Sequence, residues 1–379
     1  MTKTIAFCTD GMHPFVLGGM QKHTLGLCRA LALQGVKLIL IHGTPEGENK
    51  PTEQEVTEVL FPDGRYPKYM PEIFTIEFPS PGKLPGHYLR RSKKFAKSVE
   101  AIVAKKKVDL IYAQGFTAWT ILQQKQRQAP VWLNFHGLNM FQPAFGNRAK
   151  VESLMLRRFV RRQLLMADKV ISLGGRLTDI LKEQGVSENK IFVQSNGLDA
   201  NWLQQEQEIF LGPKRKFLFV GRNDKVKGFD MLLPVVAEFD KHTSEFHFVG
   251  PFSPDDFPVH ANVIVHGVIK EESVMRDLMD KMDIVLCTSY SEGMPTYILE
   301  AMSRSCAVLS TNVGAVAELV NTDNGVLIED ISMQGVRRGI RYMLDLSDGD
   351  LLRMKEASRN RAKTFGWDNI AQQMLKQLG

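Results

Sequence analysis

Short apolar runs recur along this chain, and stretches with helical spacing separate them. "TIAFCT" (4–9), "VKLILIHG" (36–43), "VDLIYAQ" (108–114), "VWLNFHG" (131–137) and "KVISLG" (169–174) form one series. "KFLFVG" (216–221), "FHFVG" (246–250), "NVIVHG" (262–267), "DIVLCTS" (283–289), "AVLSTN" (307–312) and "GVLIED" (325–330) form a second. Such runs suit strands buried on both faces. The stretches between them, such as "MQKHTLGLCRALALQG" (20–35), place apolar residues on one face of a helix. Parallel strands can be rejoined only through a crossover, so this alternation predicts parallel sheets covered by helices. Two series predict two doubly wound α/β domains facing across a cleft, which suits 379 residues, too many for one ordinary core. The polar stretch 194–216, with Gly-Pro near its end, marks the join. The expected division is an N-terminal domain at 1–195, a linker at 196–214, a C-terminal domain at 215–364 and a last helix at 365–379. That helix is expected to pack Trp367, Ile370 and Met374 across the boundary.

Composition narrows the functional classes. Cys8, Cys28, Cys287 and Cys306 lie in or beside apolar runs without C-x-x-C spacing, which fits reduced, buried thiols in a cytoplasmic protein. The apolar core of "MTKTIAFCTDG" is too short for a signal peptide, and no run approaches the roughly 20 apolar residues of a membrane span. The net charge of +6 is uneven: residues 1–200 hold 28 Lys and Arg against 17 Asp and Glu. Basic residues cluster in "LRRSKKFAKS" (89–98), "KKK" (105–107) and "LRRFVRRQLL" (156–165). Solvated helix faces explain such clusters, and so does attraction to an anionic membrane surface or a phosphorylated acceptor. No nucleic-acid motif accompanies the charge.

Doubly wound sheets bind ligands beyond the carboxyl ends of their strands. The loops there are "DGMHPFVLGGMQKH" (10–23), "FHGLNMF" (135–141), "GRNDKVKG" (221–228) and "SYSEGMPTYILE" (289–300). In the last, Pro295 suits the first turn of a helix, whose free amides and positive dipole end suit a phosphate. Glu292 lies in the turn and Glu300 about a turn and a half into the helix. Two separated carboxylates beside an anion site fit a ligand that is hydroxylated at both ends and anionic between, as a sugar nucleotide is. An acid favouring the helix dipole plus an exposed acid would give the same pattern. Arg222 and Lys227 carry donors suited to a diphosphate, where they would stand in for a metal. "DGD" (348–350) reads as a helix-start turn, so no acidic metal cluster competes.

Together these stretches resemble the family 4 retaining glycosyltransferases. "FVGRNDKVKGFDMLL" resembles their donor-phosphate loop and "EGMPTYILEAM" their Glu-x7-Glu motif. "SNGLD" (195–199) resembles their domain-junction motif, "GGMQKHTLGLCRALALQG" (18–35) their first glycine loop and helix, and "FGWDNIAQQML" their closing helix. The resemblance implies the GT-B fold of two Rossmann-like domains, acceptor in the N-terminal one and nucleotide sugar in the C-terminal one. It implies that Gly18 and Gly19 admit the donor diphosphate, that Arg222 and Lys227 hold it, and that Glu292 binds sugar hydroxyls and Glu300 the ribose. Backbone amides of Gly293, Met294, Pro295 and Thr296, wherever an N–H exists, would complete the cradle, and His136 would stand close to the donor sugar. Met294 stands where many members have an aromatic residue or a second glycine, which leaves sugar selectivity open.

The implied reaction moves a sugar from a UDP- or GDP-sugar to a hydroxyl of a glycan or lipid-linked acceptor with retention, in polysaccharide or cell-envelope synthesis, with no cofactor and no metal. A sugar-nucleotide epimerase or hydrolase on the same fold, and a non-catalytic sugar-nucleotide-binding subunit, remain as alternatives. A pyridine-nucleotide dehydrogenase does not, since "LGGMQKH" lacks the G-x-G-x-x-G spacing. Arg157 and Arg161 share one helix face and Arg158 and Arg162 another, with Leu154, Leu156, Phe159, Val160, Leu164 and Leu165 among them. Such a helix is expected to turn its apolar side inward and its guanidinium groups toward lipid headgroups, making the protein peripheral at the inner face of a membrane.

Overall fold

The computed structural model describes residues 2–78, 86–203, 208–257 and 262–379. The N-terminal sheet comprises β1 (Thr4–Thr9), β2 (Lys37–Pro45), β3 (Glu72–Phe78), β4 (Leu110–Gln114), β5 (Val131–Asn134), β6 (Lys169–Ser172) and β7 (Ile191–Val193). Its order is β3-β2-β1-β4-β5-β6-β7, and every pairing is parallel. The second sheet comprises β8 (Arg215–Val220), β9 (Ser244–Val249), β10 (Val263–Gly267), β11 (Ile284–Cys287), β12 (Ala307–Thr311) and β13 (Gly325–Ile328). Its order is β10-β9-β8-β11-β12-β13, again parallel throughout. Each sheet thus has the order reversal that opens a crevice at its centre, beside β1 and β4 in one and β8 and β11 in the other. Two domains of this build make the GT-B architecture.

β3 and β7 were not among the expected strands. Both are edge strands of the first sheet. "EIFTIEF" interleaves acids with apolar residues because it is only half covered, and "IFV" is too short to stand out. Among the central strands, β1, β4 and β5 in one sheet and β11 and β12 in the other are almost wholly buried, so their sequences read as continuous apolar runs.

The join carries both chain crossings. Leu198 accepts from the Trp367 amide and donates to Phe365 O at 2.7 Å, so the outgoing and returning segments are tied side by side. Residues 204–207 of the expected linker lie outside the described residues. The helix Trp367–Leu378 returns to the first domain, where Trp367, Ile370, Ala371 and Met374 join the apolar cluster of β1, β2 and the Gly19–Leu33 helix. A Cβ on Gly26 would lie 2.1 Å from the Trp367 ring, so the closing helix depends on that glycine.

The arginine-bearing segment is a helix, Asn147–Met166, but its apolar residues are not all turned inward as expected. Val160 and Leu164 are buried, whereas Val151, Leu154, Met155, Phe159 and Leu165 are exposed. A helix on the outer flank of a sheet needs only a narrow buried stripe, so apolar residues beyond that stripe face outward. Arg157 and Arg161 bond the carbonyl oxygens of Met140 and Gln184. No helix among the described residues is long and apolar enough to cross a membrane.

Candidate active site

The loops after β5 and β11 touch across the cleft, glycine against glycine. A Cβ on Gly293 would lie 3.2 Å from the Cα of Gly137. Gln142 secures the contact, its amide nitrogen donating to the Gly137 and Glu292 carbonyl oxygens. From the domain join, Asn196 donates its side-chain N–H to Met294 O and its backbone N–H to the Met294 sulfur, each at 3.1 Å. Met294 therefore serves as a docking point between domains.

Lys227 and Glu292 form the centre of the site, with Nζ and Oε1 2.7 Å apart. Glu292 also accepts from Ser289 Oγ at 2.6 Å. Burial pulls the Lys227 ammonium down, but the Glu292 carboxylate outweighs it and the lysine pKa ends raised. Arg222 does not join this pair. Its side chain is 72% exposed and turned to Asp224, 3.0 Å away, which offers the guanidinium a nearer partner. Asp224 also accepts from the Lys227 amide and so organises the loop as a whole.

Glu300 lies on the helix Thr296–Ser303, as its spacing predicts. Pro295 sits one position earlier than expected, at the cap rather than in the first turn, and no side chain caps this helix. Thr296 opens the helix and lines the cavity beside Lys22 and Glu300. Glu300 is 3.6 Å from Lys22, which also lies 3.7 Å from Glu272. These groups, with Asp199 and Thr296, line a narrow cavity of about 20 Å³, room for one water. Burial raises the Glu300 pKa while Lys22 opposes the rise.

His136 occupies the left-handed region at φ 54°, uncommon for a non-glycine residue and a mark of local strain. Its amide donates to Asn134 Oδ1 at 2.7 Å, and its buried Nε2 has no partner among the described residues. Burial, with His23 edge-on at 4.8 Å, drives its pKa well below the ordinary value, so the ring is neutral. Gly18 has φ 154° and would place a Cβ 2.2 Å from Gln21 Oε1, whereas a Cβ on Gly19 would meet open space.

A larger cavity of about 450 Å³ lies in the N-terminal domain, lined by Asp10, Val16, Gln21, Glu46, Phe78 and Arg91 among others. Arg91 lies over the Phe78 ring, 4.8 Å from its centroid. Asp10 has one carboxylate oxygen buried without a partner among the described residues, while Gln21, the residue against Gly18, bonds its carboxylate. Burial pushes the Asp10 carboxyl up to about 6. Sequence reasoning named Asn196 only as part of the junction motif and singled out none of Asp10, Lys22 and Gln142. Asp10 was findable, since it directly follows β1; the others depend on neighbours far along the chain.

This fold and this arrangement define a two-domain sugar-transferase scaffold with its groups on the facing strand ends. Glycosyltransferase Family 4 matches residues 17–202, and the family of Glycosyl transferases group 1 matches residues 214–345. The chain belongs to the family 4-type glycosyltransferases.

Among relatives, the Bacillus subtilis protein TuaC, named for teichuronic acid biosynthesis, is 31% identical over 34% of this chain and 33% of its own length. An uncharacterized glycosyltransferase of Methanocaldococcus jannaschii is 25% identical over 59% of this chain and 63% of its own. The matches thus span between a third and somewhat under two thirds of these relatives. Among solved structures, sucrose-phosphate synthase from Thermosynechococcus elongatus superposes with TM-score 0.73 at 19% identity, over 99% of this chain and 98% of that one. Anabaena HepE in complex with UDP and glucose superposes with TM-score 0.68 at 16% identity, over 99% of each chain.

Proposed function

We propose that the protein transfers a sugar, with retention of configuration, from a UDP- or GDP-sugar to an acceptor hydroxyl in polysaccharide or cell-envelope synthesis. One observation carries this reading: the neutral His136 ring, its Nε2 without a partner among the described residues, and Glu292, paired with Lys227, stand on loops that meet at Gly137 and Gly293. A sugar bound there finds hydrogen-bonding groups from both domains. Lys227 shifts from Glu292 toward the donor diphosphate, and Arg222 swings in from its exposed position. Together with the Thr296 helix end they stabilise the charge that develops as the diphosphate leaves. Glu292, relieved of the lysine, accepts from sugar hydroxyls, and Glu300 exchanges Lys22 for the ribose. His136 bonds a sugar hydroxyl. The bond from the anomeric carbon to the diphosphate oxygen breaks while the acceptor oxygen bonds to that carbon from the same face. The acceptor proton passes to the leaving phosphate oxygen, so no protein nucleophile or metal is needed.

The acceptor lies in the N-terminal cavity, which opens beside the glycine loop through Gln21. Phe78 offers a surface for a sugar ring, and Asp10 accepts from a hydroxyl. Likeness to TuaC and to a Campylobacter jejuni diphospho-undecaprenol N-acetylgalactosaminyltransferase, 26% identical over 54% of this chain, supports an envelope role. The Asn147–Met166 helix, with exposed arginines and apolar residues together, supports reversible docking at the cytoplasmic face of an anionic membrane.

The test supplies UDP- and GDP-sugars with and without an envelope extract, and reads nucleoside diphosphate release and the product anomer. Acceptor-dependent release with retained configuration is the expected result. Release that ignores the extract would instead select a hydrolase or epimerase, and an inverted product would remove the retaining mechanism.

A further inference from the structure

A third cavity, of about 180 Å³, lies on the outer flank of the N-terminal domain, and none of its lining residues belongs to the cleft. Lys93, Trp119, Phe159, Arg162, Gln163 and Met166 line it. Gln163 is only 3% exposed, and neither its amide nitrogen nor its amide oxygen has a partner among the described residues. Buried amides are nearly always hydrogen-bonded, because an unpaired one forfeits the bonds it made to water. Lys93 and Arg162 stand at the same cavity, and neither enters an ion pair among the described residues. The Trp119 and Phe159 rings lie 5.7 Å apart beside them.

One face of the Asn147–Met166 helix leads into this cavity. Val151, Met155, Phe159, Arg162 and Met166 follow one another at helical spacing, with Val151 and Met155 exposed. The sequence along that face is apolar surface, then aromatic wall, then unpaired cations around an unpaired buried amide. We propose that the cavity holds the headgroup of an anionic phospholipid, with phosphate between Lys93 and Arg162, an ester group at Gln163, and hydrocarbon along Trp119, Phe159 and the exposed stripe. The amide bonds the ester carbonyl through its N–H. A soluble phosphate ester would meet the two cations but leave the apolar stripe uncovered. The proposal rests on the membrane docking proposed above and gives it a specific slot.

The test measures co-sedimentation of the full chain with phosphatidylcholine vesicles carrying graded phosphatidylglycerol. Lys93→Gln with Arg162→Gln is compared with Lys94→Gln with Lys97→Gln, which removes the same charge from the exposed side of the neighbouring helix. The first pair is expected to weaken binding about thirtyfold, the effect of two headgroup contacts at roughly 1 kcal/mol each. The second pair is expected to weaken it only a few-fold, and Gln163→Leu to weaken it without any change of charge. Equal losses from both pairs would overturn the slot in favour of diffuse surface charge. A second measurement needs no variant: vesicle binding should slow backbone hydrogen exchange at 119–123 and 159–166 of the wild-type chain, and unchanged exchange there despite binding would overturn the proposal. If glycerol 3-phosphate slows the same amides while vesicles do not bind, the ligand is a soluble phosphate ester and the lipid assignment fails. Calorimetric binding of UDP and GDP by the same variants separates these outcomes from a failure of the transferase reading, since the cleft lies elsewhere.

Discussion

At the scale of single residues, Lys227 and Arg222 are expected to share a task but to differ in what they hold at rest. Each replacement by alanine should lower turnover by about 10²–10³, the usual effect of losing one transition-state charge partner. Lys227→Ala should also lower the melting temperature, because it leaves the buried Glu292 carboxylate without its cation, whereas the exposed Arg222 can be removed without that cost. Steady-state kinetics with parallel thermal melts would show whether the two variants separate in this way. If these cations take the place of a metal, as proposed, turnover persists in EDTA. Loss on chelation with recovery on adding Mg²⁺ or Mn²⁺ would contradict the clamp.

Asp10 gives a prediction with a sign. Its folded pKa, about 6, lies above the ordinary carboxyl value of 3.8, so the folded state holds this proton over a range where the unfolded chain has released it. The group's contribution to stability is therefore present at low pH and falls as pH rises from about 4 through about 6. Asp10→Asn should melt higher than wild type at pH 7.5, with the difference vanishing near pH 4. A difference that stays constant with pH would show that the carboxylate is not held protonated.

At the scale of elements, the phosphate loop depends on the turn from 225–227 into the helix Phe229–Val236. Gly228 lies between them at φ 67°, and a Cβ there would fall 1.8 Å from Thr288 O. The Thr288 hydroxyl bonds Lys227 O, so the loops after β8 and β11 are stitched at this point. Gly228→Ala is expected to destabilise the protein by about 1–3 kcal/mol, the usual cost of a strained backbone position, and to misplace Lys227. Urea unfolding would measure the first effect and nucleotide affinity the second; a variant normal in both would show that the loop tolerates the strain. The neighbouring strands illustrate how far pattern reading reaches. Most strands announced themselves as apolar runs, whereas β3 did not, because acids interrupt its half-covered run, and β7 did not, because it spans only three residues.

At the scale of the whole molecule, the last helix ties the two halves together. The Trp367 ring fills the space left by Gly26 and Gly197 and meets His23 edge-on at 5.2 Å. Trp367→Ala should cost about 3–5 kcal/mol, as large buried truncations do, and should weaken donor binding through the displaced Asn196–Gly197 segment. Calorimetric unfolding and nucleotide titration would test both, and a melting temperature near wild type would show that the closing helix is dispensable.

The alternation of buried runs and helical stretches was enough to determine two parallel α/β domains, because periodicity is a local property that burial imposes on each element. The order of the motifs likewise pointed to Glu292, Glu300, Arg222, Lys227 and His136 before any contact was known, since strand ends are where such sheets place their ligands. The pairings were decided only in three dimensions. That Lys227 meets Glu292 across 65 positions follows from β8 and β11 lying side by side in one sheet, and that Lys22 meets Glu300 and Asn196 docks on Met294 follows from how the two sheets face each other. Such contacts join residues far apart in the chain, and no periodicity in either segment records which partner it will meet.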